Sequence, residues 1–265
     1  MSLFSGIGGL DLAAEWAGIE TVGQCEWADY PYKVLCKHWP DVPKWRDIHE
    51  LTKESFREQT GLQTVDVISG GFPCQPFSVA GKHRGTEDDR YLWPEMCRVI
   101  AELRPHYVLG ENVAGIVNMA LDTVLSDLEA QGYTARTFII PACGIGAPHR
   151  RYRAAIVANT NSTGREEFGT AIIADKEEFD TRGSVAQLIS NADGGGCRRK
   201  QRRQHARQFA DGSWWATEPG VGRVANGIPH RVDRVKCLGN TVVPQQFYPI
   251  FKAIAAVEGG EEDGR

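Results

Sequence analysis

"VDVISGGFPCQPFSVAG", Val65 to Gly81, is the stretch from which the fold can be read. Its first half is β-branched and apolar and ends in two glycines, which reads as a buried parallel strand running out into a loop. Its second half sets one thiol, Cys74, between Pro73 and the pair Gln75 and Pro76. A structural cysteine is usually a small apolar residue inside a helix or strand, but prolines on both sides remove backbone donors and break regular structure. The thiol therefore sits on a rigid loop. Loops at the carboxyl ends of parallel strands are where open α/β sheets keep their ligands, so position alone makes Cys74 a candidate nucleophile.

Outward from this strand the same alternation continues on both sides. "MSLF", "TVGQCE", "HYVLG", "TARTFII" and "RAAIVA" read as further strands, and "LDLAAEWA", "DYPYKVLCKHW", "YLWPEMCRVIAEL" and "ALDTVLSDLEAQ" as the helices between them, the last closed by Gly132. Strand and helix in turn up to Ala158 predict a doubly wound, mostly parallel α/β sheet, Rossmann-like, over residues 1–158. After that the chain becomes polar, glycine-rich and aperiodic, so 159–230 is expected to be a small irregular lobe. The remainder, 231–265, is expected to return to the first domain, with "GNTVVPQQFYPIFKAIAAVEG" as a loop followed by an amphipathic helix and "EGGEEDGR" as a frayed acidic tail. No internal repeat is found.

Composition narrows the class. With 265 residues, 42% hydrophobic and 24% charged, the chain can bury a substantial core, and no apolar run nears the roughly 18 residues a membrane helix needs. The seven cysteines form no C-x-x-C pair, which predicts a reducing, cytoplasmic setting without disulfides or structural metal. A net charge of −4 argues against binding nucleic acid by bulk charge, but charge is uneven. "CRRKQRRQHARQ", Cys197 to Gln208, holds Arg198, Arg199, Lys200, Arg202, Arg203 and Arg207 without an acid, which suits either a solvated loop or a phosphate-contacting surface.

Other chemistry-bearing residues fall at the same predicted sheet edge. "FSGIGGLDLA" follows a short strand and opens a helix, a turn that lets a ligand approach main-chain N–H groups. Its spacing of Gly6, Gly8 and Gly9 is neither a dinucleotide fingerprint nor a phosphate loop, so another adenosine-bearing cofactor fits better. Glu26, ending the second strand, is placed to accept from ribose hydroxyls, and Asp47 to accept from an adenine amine; either alone would pass for a surface carboxylate. Glu111 follows "HYVLG" and should emerge beside the Cys74 loop, where apolar walls would raise its pKa. Arg151 and Arg153 stand two apart at a strand head, a spacing that turns both toward one face.

Taken in order, these stretches resemble the DNA cytosine-5 methyltransferase family of bacterial and phage type. "FSGIGG", "CEW", "RDI", "GGFPCQPFS", "ENV", "HRRYR" and "LGNTVVP" are similar to its successive motifs, with His149 where the family usually has Gln. The resemblance implies an S-adenosylmethionine-dependent methyltransferase fold with a target-recognition lobe at 159–230. It implies that Phe4, Gly6, Ile7, Gly8, Glu26, Trp27, Asp47, Ile48, Pro73, Leu92, Asn240 and Val242 bind S-adenosyl-L-methionine. It further implies that Cys74, Glu111, Arg151 and Arg153 act on a flipped-out cytosine in double-stranded DNA, with no metal. Ser78, Arg84, Arg198, Arg199, Arg202 and Arg203, with Trp214 and Trp215, are expected to contact DNA, and "SVAGKHRGTEDDR" to close over the base. The expected protein is a cytoplasmic monomer of restriction-modification or orphan type, any cognate endonuclease acting separately. The alternatives are the same chemistry on RNA, against which stands the lack of the family's Cys-Phe-Thr tRNA signature, and a non-catalytic paralogue that binds cofactor or DNA. A thiol hydrolase would need a histidine base paired with Cys74, and no spacing provides one.

Overall fold

In a computed structural model, which describes residues 1–73, 91–147, 149–160 and 230–259, seven strands form one sheet in the order β3-β2-β1-β4-β5-β7-β6. The strands are β1 (Ser2–Leu3), β2 (Gln24–Cys25), β3 (Lys44–Trp45), β4 (Val67–Gly70), β5 (Tyr107–Val113), β6 (Tyr133–Ile140) and β7 (Arg153–Thr160). Neighbours from β3 to β5 are parallel, while β7 runs antiparallel to both β5 and β6. The doubly wound, mostly parallel sheet is thus as the sequence predicts, with one reversed strand.

The helices are α1 (Gly9–Trp16), α2 (Asp29–His38), α3 (Lys53–Thr60), α4 (Trp93–Leu103), α5 (Leu121–Ala130), α6 (Arg231–Asn240) and α7 (Pro244–Gly259). Burial of both sheet faces explains why the strands read as continuous apolar runs. On one face Leu3, Ile68, Val108 and Ile156 meet Trp93, Met96 and Ile100 of α4 and Val124 and Leu128 of α5. On the other Val67, Leu109, Ala155 and Val157 meet Leu10 and Ala14 of α1 and Phe247, Phe251 and Ile254 of α7. Adjacent residues of one strand belong to opposite cores, the two-residue period that a strand imposes. Fully burying each large side chain among these contributes about 1.5–3 kcal/mol.

Three elements escape the sequence reading. β3 has two residues, too few for a period. α3 buries only Phe56 and is set instead by its cap, in which Thr52 accepts from Ser55 N and the Ser55 hydroxyl accepts from Thr52 N. α6 exposes Val232, Val235 and Leu238, so its apolar residues do not mark a core face.

The C-terminal segment is stitched back to the sheet. Gln246, buried at the start of α7, donates through Nε2 to Ile140 O at 2.8 Å and to Arg151 O at 3.0 Å, joining the end of β6 to the approach to β7. Among the described residues no helix is long and apolar enough to cross a membrane.

Candidate active site

The carboxyl ends of β1, β2, β4 and β5 converge, and the chemistry lies there. Leaving β1, the chain turns through Phe4, Gly6 and Gly8 at φ of 52°, 57° and 83°. A bulky residue at positive φ is a true outlier, and such strain concentrates at ligand sites. Ile7 in this turn is half-buried, and Gly8 caps α1. Open space lies where a Cβ on Gly6 would stand, so a ligand can approach the main chain there.

Beside that space Glu26 is held by two main-chain donors: Oε2 accepts from Gly6 N and Oε1 from Ala28 N, both at 2.8 Å. Each carboxylate oxygen can accept more than one hydrogen bond, so acceptor capacity is left for a hydroxylated ligand. Trp27, 69% exposed, offers an aromatic face next to it. Asp47 caps the 3-10 turn Ile48–Glu50, its Oδ1 accepting from His49 N at 3.0 Å and lying 2.6 Å from His49 Nδ1. These bonds hold its carboxyl below the usual range, so it stays an ionised acceptor with Oδ2 uncommitted by them. An open glycine turn, a held carboxylate, an exposed indole and a second acceptor fit an adenosine-bearing cofactor.

The other residues expected around that cofactor take more varied positions. Ile48 is buried in the core, Leu92 is half-buried as the N-cap of α4, and Pro73 is half-buried where β4 leaves the sheet. Asn240 ends α6 and is exposed, and Val242 is buried against α1 with its Cγ2 packed over Gly9.

The base-directed side centres on Glu111. β4 and β5 pair Gly70 with Gly110, so Glu111 stands one residue beyond the shared ladder, beside Gly71. Its Oε2 lies so close over Gly71 that a Cβ there would meet it at 2.7 Å. Glu111 is diagonal to Arg153 across the β5–β7 ladder, and Arg153 Nε is 2.9 Å from Glu111 Oε1. This is an ion pair off the hydrogen-bond line, leaving the buried Nε–H without a well-directed acceptor. Burial pushes the Glu111 carboxyl up to about 7, the Arg153 and Arg151 guanidinium groups opposing that rise. A carboxyl raised this far can exchange a proton near neutral pH.

Arg151 behaves differently from the two-residue spacing argument. β7 begins at Arg153, and Arg151 precedes it at φ 33°, outside the strand, so alternation does not govern its direction. Its Nη2 donates to Gly239 O at 2.7 Å and also to Thr241 O, fastening "LGNTVVP" to the head of β7. Cys74, Ser78, Arg84, Arg198, Arg199, Arg202 and Arg203 lie outside the described residues, as do Trp214 and Trp215.

Two residues that the sequence reading passes over shape this site. Asn112, buried, donates through Nδ2 to Phe72 O at 2.9 Å and accepts from Val113 N at 2.9 Å, tying the end of β5 to the chain two residues before Cys74. A polar amide inside "YVLGENV" is the signal, since a buried amide needs partners. Gly71 is the other, the second glycine of "SGG", where a Cβ would stand 2.7 Å from Glu111 Oε2 and displace the carboxyl.

The sequence profile of C-5 cytosine-specific DNA methylases matches residues 1–216. The chain belongs to this family. Among its relatives in the family, the Type II methyltransferase M.Eco47II of Escherichia coli is 36% identical over 171 residues, covering 61% of this chain and 39% of that protein. M.HhaI of Haemophilus parahaemolyticus is 29% identical over 173 residues, covering 63% and 51%. M.AquIA of Picosynechococcus is 32% identical over 175 residues, covering 60% and 71%. The chain thus spans 39% and 51% of the length of the first two. Of solved structures, a protein described as a DNA modification methyltransferase encoded within an Escherichia coli prophage superposes with a TM-score of 0.53 at 27% identity, covering 62% of this chain and 47% of its own. A DNMT2 variant of Spodoptera frugiperda gives 0.53 at 25%, covering 63% and 51%.

Proposed function

We propose that the protein transfers a methyl group from S-adenosylmethionine to C5 of a cytosine flipped out of duplex DNA, through a covalent bond between Cys74 and C6. The observation that carries this reading is the buried Glu111–Arg153 pair, a carboxyl with a raised pKa beside a guanidinium, packed on the main chain that leads into Cys74.

Cytosine C5 is a poor nucleophile, and the arrangement answers that difficulty. The Cys74 thiolate adds to C6, the ring electrons shift toward C5, and Glu111 gives its proton to N3 as charge builds there. Arg153, ion-paired with Glu111, binds the C2 carbonyl oxygen. The bound cofactor supplies an electrophilic methyl on a sulfonium, with Glu26 holding the ribose hydroxyls, Trp27 covering the adenine and Asp47 accepting from its amine. Once C5 carries the methyl, loss of the C5 proton to a base returns the electron pair of the C6–S bond to Cys74, and Glu111 recovers its proton from N3. Arg151 positions rather than reacts, since its guanidinium secures the Gly239–Thr241 segment against β7.

A C6 inside a duplex cannot be reached, so the base must leave the stack, at a cost of a few kcal/mol offset by pocket and phosphate contacts. Ser78, Arg84 and the arginines from Arg198 to Arg207 supply those contacts in this account. Similarity to Type II methyltransferases supports a restriction-modification setting. The test is transfer from labelled S-adenosylmethionine to duplex DNA and to bulk tRNA, with Cys74→Ala as control and bisulfite sequencing of labelled DNA. Label at C5 within one short DNA sequence, absent with Cys74→Ala, is expected. Label in tRNA alone would overturn the substrate assignment and leave the chemistry.

A further inference from the structure

Arg98, in the middle of α4, lies outside the motif stretches quoted above, yet its guanidinium makes four hydrogen bonds. Nη2 donates to Ile48 O at 2.8 Å and Nη1 to Leu51 O at 3.0 Å. Nη1 also donates to Glu102 Oε1 at 2.7 Å, and Nε to Glu95 Oε2 at 2.8 Å. Four of the five N–H donors of a rigid planar fork are therefore committed, two to main chain and two to carboxylates on its own helix. Glu102 adds a third grip, its Oε2 accepting from Lys53 N at 2.8 Å.

What α4 grips is the short turn that Asp47 caps. The turn is sealed inward by Ile48 and Leu51, 4% and 1% exposed. Those apolar anchors fix its depth. Its rotation is held further by the pinned carbonyls of Ile48 and Leu51 and by Ser55 Oγ, which donates to Glu50 O at 2.9 Å. Asp47 spends Oδ1 inside the turn on His49, so any ligand it reads is read by Oδ2, and the direction of Oδ2 follows the turn. A lysine would keep the charge but reach only part of this acceptor set.

We propose that Arg98 is a positioning residue for adenine recognition, holding the Asp47 turn so that the carboxylate meets the exocyclic amine. The inference rests on the cofactor reading given above. A merely structural Arg98 would weaken every ligand of this edge alike; a positioning Arg98 weakens only the ligand that carries the amine.

The experiment is calorimetric titration of the full chain, at one pH, with S-adenosylhomocysteine and with its inosine counterpart, in which a carbonyl oxygen replaces the 6-amino group. Wild type is expected to prefer the adenosine compound. Arg98→Lys should weaken it about tenfold, equivalent to about 1.4 kcal/mol, and change inosine-compound binding by less than about twofold. Asp47→Asn should do the same, and the double variant should lose little more than either single one, because both act on one contact. Equal weakening of both ligands, or no change, overturns the inference. Should Arg98→Lys fail to fold by circular dichroism, Glu95→Gln, which loosens one of the four contacts, should still narrow the preference, and an unchanged preference overturns the inference. Wild type that binds neither ligand would instead overturn the cofactor reading itself.

Discussion

Replacing Glu111 by glutamine removes a titrating group from a buried site while nearly keeping its shape, and the consequence can be worked out. The carboxyl is raised from 4.5 to about 7, burial being the largest cause. At about 1.4 kcal/mol per tenfold change in proton affinity, ionising it in the fold costs about 3 kcal/mol more than in the unfolded chain. A raised carboxyl contributes stability that is complete below its unfolded value and is lost as pH rises through its folded value, because the native state there binds more protons than the unfolded one. Wild type should therefore lose up to about 3 kcal/mol relative to Glu111→Gln between pH 4.5 and pH 8, most of it between pH 5 and 7. Urea denaturation of both proteins across this range measures the difference directly. The same variant should lower methyl transfer by about 10²–10⁴-fold, since glutamine cannot give a proton to N3. Parallel stability curves for the two proteins would refute the claim that burial raises the Glu111 pKa in the fold.

Other perturbations probe the surroundings of the pair. Arg153→Ala should raise the Glu111 pKa further, by removing the nearest opposing charge, and cut turnover by about 10²–10³-fold; a pH–rate profile with an unmoved limb would contradict the pairing. Gly71→Ala places a Cβ 2.7 Å from Glu111 Oε2 and should cost about 1–3 kcal/mol in urea denaturation with a loss of activity. Asn112→Ala leaves Phe72 O and Val113 N without their partner and should destabilise by about 1–3 kcal/mol, with kcat falling more than cofactor affinity; a uniform loss in both would show a general rather than a local role.

Much of this was legible in the residues because the physics behind it is local. β4 was readable from "VDVISGG" since a strand buried on both faces carries adjacent apolar residues, here Val67 and Ile68, and the carboxyl-edge position of Glu111 followed from where "HYVLG" ended. The glycine turn was readable from its composition, though not the positive φ of Phe4, which is imposed by the chain leaving β1 for that turn. The reversal of β7 was not legible: "RAAIVA" has the same composition in either direction, and only its pairing between β5 and β6 reveals the sense. Arg151 shows the same limit, because a spacing of two implies a shared face only inside a strand. The bonds of Arg98 to Ile48 O and Leu51 O and of Asn112 to Phe72 O were not legible, because these carbonyls lie 40 to 50 residues away along the chain.

The most direct test of the covalent mechanism uses duplex DNA in which 5-fluorocytosine replaces cytosine. A fluorine at C5 cannot leave as the proton does, so once the methyl has been transferred the C6–S bond has no route to break. The account predicts a denaturation-resistant protein–DNA complex that forms only with S-adenosylmethionine present, with the methylated fluoropyrimidine attached by mass spectrometry to the peptide containing Cys74. Methylation of ordinary DNA by a protein that forms no such complex, or that remains active as Cys74→Ala, would contradict it.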